Sequence, residues 1–169
     1  MDHKWQLAAR MGIAIILAAA FDWFYVIFTP LTLYPSYWIL GLYHDATLIG
    51  SRIITTEYFL NFVDACVAGA AYFLLVLLIL FTDKIRFRER VYMFLIGSLM
   101  ILSFNIIRIE ILFYVLLNYG SNIFQSIHLI FWKFLSTIFV FLTWIFLIKK
   151  FRVKAVPVFS DYKRILKYF

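Results

Sequence analysis

Four stretches of this chain, at about residues 8–29, 61–82, 91–117 and 123–148, run on with at most two charged residues each. A helix needs about 20 apolar residues to cross a bilayer core, and each stretch reaches that length. In lipid no water is present to satisfy a bare N–H or C=O, so stretches of this kind must be helical. The expected fold is all-α: a polytopic membrane bundle of about four transmembrane helices plus an interfacial outer segment, forming one domain over residues 1–169. Composition points the same way, with 65% hydrophobic and 15% charged residues. Soluble domains average about 45–50% and about 25%.

The first stretch also has the features of a signal peptide: Lys4 and Arg10, an apolar run, then Ala18-Ala19-Ala20. Apolar residues continue past Ala20 through Trp23, Phe24, Tyr25 and Phe28. That exceeds a signal-peptide core of about 7–15 residues, so a retained helix ending before Pro30 is expected.

Orientation follows from the basic residues. Lys4 and Arg10 precede or open the first span; Lys84, Arg86, Arg88 and Arg90 lie between the second and third; seven more follow residue 148. The opposite side offers only Arg52, while Arg108 and Lys133 lie inside spans. This asymmetry places both termini in the cytoplasm of a multi-pass cell-membrane protein. The net charge of +7 is concentrated in the 149–169 tail, where it flanks a hydrophobic span and suits anionic lipid; nucleic acid is not an expected partner. Within that tail Lys163, Arg164 and Lys167 alternate with apolar residues, as in a surface-lying amphipathic piece. Residues 30–60 and the short 118–122 turn then face outside. Tyr34, Tyr37, Trp38 and Tyr43 suit the headgroup belt, so the 30–60 segment is expected to lie along the interface, partly helical, as a roof over a site or as a plain anchor.

Three residues on different spans share the outer half of the bundle. At 1.5 Å per residue, Cys66 and His128 each lie roughly 7 Å below the outer starts of their helices, and Arg108 roughly 14 Å below the end of its own. Arginine can snorkel toward the interface, which makes the three depths compatible. An arginine within a span costs at least about 2.5 kcal/mol on insertion scales, so it marks function by default. Asn105 is three residues from Arg108 and Gln125 three from His128, so each pair shares a helix face. Ala65, Gly69 and Ala70 permit a close helix approach beside Cys66.

Ordinary alternatives exist for each residue. A lone cysteine in an apolar helix is usually a small hydrophobe. A histidine near a helix end is often merely hydrogen-bonded. Arg108 has a possible ion-pair partner in Asp22, a better one than Glu110, which points elsewhere on the same helix. Lys133 can snorkel or pair in the same way. The single Cys excludes an intramolecular disulfide, and His3, His44, His128 and Cys66 lack metal-ligand spacing, so no metal or cofactor is expected.

The local motifs are Asp64-Ala65-Cys66-Val67-Ala68-Gly69, then Asn105-Ile106-Ile107-Arg108-Ile109, then His128. In this order they resemble the exosortase/archaeosortase family of membrane-embedded cysteine transpeptidases, over about residues 60–135. The small size of the chain fits the archaeal branch. A departure is that Val67 and Ala68 separate Cys66 from Gly69, where the family commonly has Cys-Ser/Thr-Gly.

The resemblance implies that Cys66 is the nucleophile, with Arg108 and His128 the other catalytic residues and Asp64, Gly69, Asn105 and Gln125 in support. It implies removal of a C-terminal sorting signal from exported surface proteins, the signal being a motif, a transmembrane helix and a basic cluster. Transfer to an acceptor, such as a membrane lipid, would follow. Two alternatives from other classes stand beside this: a small transporter or channel subunit using Asp22, Arg108, Glu110 and Lys133, and a non-catalytic membrane assembly protein.

Overall fold

The computed structural model describes residues 3–56, 58–61, 64–83 and 85–153. The expected amphipathic piece of the tail lies outside the described residues, as do the side chains of Asp64, Ala65 and Lys133. The described chain is mostly helical. It consists of α1 (His3–Ala19), α2 (Asp22–Leu40), β1 (Ala46–Ile49), β2 (Arg52–Thr55), β3 (Phe59–Asn61), α3 (Asp64–Val67), α4 (Gly69–Phe81), α5 (Phe87–Ile130), a π-helical stretch (Phe131–Leu135) and α6 (Ser136–Lys150).

The single helix expected at 8–29 is instead two, bent by 61° between α1 and α2. The boundary expected before Pro30 is also corrected, because α2 carries Pro30 and Pro35 inside it and ends at Leu40. A proline removes one ladder hydrogen bond, but packing can hold the helix through it. Here Phe28, Thr32, Leu33, Ser36 and Leu40 form a buried stripe at helical spacing that continues past both prolines.

The 30–60 segment is partly helical, as expected, through Leu40; the rest is not helix but sheet. After Leu40 it forms an antiparallel three-stranded meander in the order β1-β2-β3, with Ile49 opposite Arg52 across the Gly50-Ser51 turn and Ile54 opposite Phe59. Ile53 on the central strand is fully buried and packs in one cluster with Leu40, Cys66, Ile109 and Phe113. The sheet therefore roofs the Cys66 region.

By length and composition α5 is the helix able to cross a membrane; α1 and α2 reach that measure only as a bent pair, and α4 is a shorter apolar helix of 13 residues. Gly120 divides α5. Its backbone (φ 79, ψ 177) is not helical, a conformation open to glycine because it has no Cβ. The chain folds back there. Arg108 reaches Ser136, the Phe104 ring stacks on Phe139, and Gly97 lies against Leu147. Those three pairs have nearly constant residue-number sums, which means that the 87–119 arm runs antiparallel to α6. At the start of α5, Glu89 accepts from the Arg86 backbone N–H at 3.2 Å and from its guanidinium, closing the first turn.

Helix α4 packs against α1, α2, α5 and α6. Its Tyr72, Leu75 and Ile79 join Met93, Ile101, Trp144 and Leu147 in the main apolar core, and Tyr72 stacks on Phe28 with ring centroids 3.5 Å apart.

Candidate active site

Cys66 sits on α3, a single helical turn, and is 6% exposed. The helix expected to run unbroken through 61–82 is interrupted directly after it, because Ala68 is left-handed (φ 60, ψ 32). For a residue with a Cβ that conformation costs roughly 1–2 kcal/mol. The carbonyls at a helix end have no intrahelical partner, and here α5 supplies partners. Asn105 Nδ2 donates to the Cys66 carbonyl at 2.7 Å, and Arg108 Nη2 donates to the same oxygen at 3.2 Å. Both donors are 2% exposed, and their three-residue spacing puts them on one face of α5. The Cys66 Sγ lies 4.0 Å from the Asn61 carbonyl at the end of β3.

Arg108 is held on its other side by Ser136, whose Oγ accepts from Nη1 at 3.4 Å and donates to the Phe131 carbonyl at 2.9 Å. The guanidinium lies within electrostatic reach of Cys66, Tyr72 and His128. His128 stands on the far side of the Gly120 turn with its ring against Phe124 at 5.6 Å. Its Nε2 is buried and has no hydrogen-bond partner among the described residues. The Tyr72 hydroxyl is buried in the same condition.

A cavity of about 240 Å³ opens beside this group, lined by Tyr25, Ala68, Gly69, Arg108, Ser136 and Val140 among others. Gly69 permits the close approach of Tyr25 in its wall: a Cβ there would lie 2.6 Å from the Tyr25 ring, closer than real contacts allow.

Of the residues singled out in the sequence, Cys66, Asn105 and Arg108 are joined directly, and His128 lies within reach of the guanidinium. Gln125 is exposed, and no hydrogen bond ties it to His128. Asp22 is also exposed and forms no ion pair with Arg108. Arg108 instead donates through Nη2 to a backbone carbonyl and through Nη1 to Ser136. Glu110 faces the turn after α2 and accepts from the Tyr43 hydroxyl. Burial first, and then this bond, push the Tyr43 phenol above its ordinary range.

Ser136 and Tyr72 were not signalled as site residues. Ser136 lies eight residues after His128, a helical repeat that would have flagged it; Tyr72 has no comparable signal. Among the described residues no three of His, Cys, Asp or Glu gather into a group that could hold a metal. No family model, curated protein or solved structure matches the chain.

Proposed function

We propose that this chain is a membrane-embedded cysteine transpeptidase of the exosortase/archaeosortase kind, with Cys66 as nucleophile, His128 as proton carrier and Arg108 as oxyanion donor. The observation that carries the proposal is the double clasp of Asn105 and Arg108 on the Cys66 carbonyl. It fixes a guanidinium next to the only thiol of the chain, in a buried setting where a fixed cation acts strongly on developing charge. Four crossings with both termini inside complete the reading: the bent α1–α2 pair, α3–α4, the 87–119 arm and the arm after Gly120.

In the proposed reaction the Cys66 thiol gives its proton to the unpartnered His128 Nε2, and the sulfur attacks the scissile carbonyl. The oxyanion forms beside Arg108. As the intermediate collapses, the C–N bond breaks, and the leaving amine takes the proton from His128. The resulting thioester on Cys66 is opened by a second nucleophile, an amine acceptor that regenerates the thiol. The substrate would be an exported protein ending in a motif, a helix and a basic cluster. A transporter reading gains less support, because Asp22 is exposed and Glu110 is tied to Tyr43, away from Arg108.

The test is co-expression with a candidate substrate of that form. Cys66→Ala should insert normally and abolish cleavage, and Cys66→Ser should be nearly as inactive. The wild-type chain should form a substrate adduct that survives acid and is released by hydroxylamine. Undiminished cleavage by Cys66→Ala would remove this function.

A further inference from the structure

The second cavity lies at the opposite end of α4 from Cys66 and takes no part in the proposed chemistry. It is a groove of about 780 Å³ between the bent α1–α2 pair and the α4–α5 face, walled by residues such as Leu17, Trp23, Ile79 and Phe94. Its lining is almost wholly apolar, with Arg10 and Arg90 as the two charged residues. On the bent α1–α2 pair its lining runs from Ala9 to Phe28. On the facing wall it runs along α5 only from Phe87 to Phe94, about 10 Å of helix, well short of a hydrocarbon core of roughly 30 Å.

The charges at its polar end are arranged asymmetrically. Arg10 donates to Asp83 at 2.9 Å, and Arg90 donates to the carbonyls of Leu80, Thr82 and Ile85. Among the described residues two guanidinium groups therefore face one carboxylate, leaving a net positive charge where the apolar groove ends. Only one donor of Arg10 is engaged by Asp83, and a guanidinium has five.

We propose that this groove is a binding site for a single anionic phospholipid, with an acyl chain along Leu17, Trp23 and Ile79 and the phosphate at Arg10 and Arg90. A transmembrane helix fits less well. It would need a groove spanning both leaflets, and a helix ending in a basic cluster would bring like charge to the two arginines. The proposal rests on membrane residence but not on the chemistry of Cys66. One net positive charge near a membrane surface corresponds to about fivefold preference for an anionic headgroup.

Trp23 lines the groove and is 65% exposed, so it serves as the reporter. The full chain is reconstituted into phosphatidylcholine vesicles containing increasing mole fractions of brominated phosphatidylglycerol or brominated phosphatidylcholine. Quenching is assigned to Trp23 by difference from Trp23→Phe. Half-maximal quenching is expected at about fivefold lower mole fraction of the brominated phosphatidylglycerol. Arg10→Gln should remove that preference and Arg10→Lys should keep most of it. Equal quenching by the two lipids overturns the site, leaving only ordinary boundary lipid. Quenching by neither, together with a concentration-dependent dimer, overturns it in favour of a second copy in the groove. Because the headgroup comparison uses wild-type protein, an unstable Arg10→Gln leaves the test intact. Release of the chain from membranes by an alkaline carbonate wash would instead defeat membrane residence, a distinct outcome.

Discussion

At the Asp83 end of α4 the charged groups and the indole find firm partners: Arg90 caps three carbonyls, Arg10 meets Asp83, and Trp144 Nε1 donates to Thr82 Oγ1 at 3.3 Å. At the Cys66 end, His128 Nε2 and the Tyr72 hydroxyl are buried without partners among the described residues. The helix also breaks at the second end, through a left-handed alanine. Buried unpaired polar groups are costly, and strained backbone tends to gather where chemistry occurs. One end is organised for stability. The other carries costs that a bound substrate could offset.

The largest expected effect lies at the Cys66 end. Lysine keeps the charge of Arg108 but loses its planar fork, so Arg108→Lys should insert normally and lose about 10²- to 10³-fold in substrate processing. Asp22→Asn should process normally. If those outcomes are reversed in a cleavage assay, the contrast between the ends has been drawn at the wrong residue. Asn105→Leu removes the shorter half of the clasp, and a displaced Cys66 should reduce processing by up to about 10²-fold. A loss of thermal stability alone, with full activity per folded molecule, would make Asn105 merely structural.

Trp144→Phe probes the other end. It should lower unfolding stability by about 1 kcal/mol, the net value of one hydrogen bond, without altering processing of folded protein. A specific activity defect would show that the ends are coupled. The smallest effect is expected of Ala68→Gly, which relieves the left-handed strain and should raise stability by about 1 kcal/mol or less, since glycine also loosens the unfolded chain. A clear drop in thermal stability would place Ala68 in an ordinary helix.

The helical character of the described chain was legible because apolar runs of such length permit little else. The three-residue spacing of Asn105 and Arg108 also gave their shared face. What the spacing could not give was their target, because a backbone carbonyl leaves no mark in composition. The break at Ala68 was hidden for a related reason: the sequence offers alanine, a strong helix former, where tertiary contacts impose a left-handed turn. The sheet was legible in part. Ile49-Gly50-Ser51-Arg52-Ile53-Ile54-Thr55 carries β-branched residues on either side of a Gly-Ser turn, a hairpin signal outweighed here by the aromatic residues before it. Pro30 misled in the opposite sense, since a buried stripe carried α2 beyond it.

The π-helical stretch at Phe131–Leu135 sets the phase between two parts of one arm. One residue more or fewer rotates everything downstream by about 100°. His128 precedes the stretch, whereas Ser136, Val140 and Trp144 follow it. Excising a single residue there would leave the imidazole in place and turn Ser136 away from Arg108, carrying the packing face of α6 with it. The stretch thus acts as an angular spacer, and a change in length there should cost far more than a substitution.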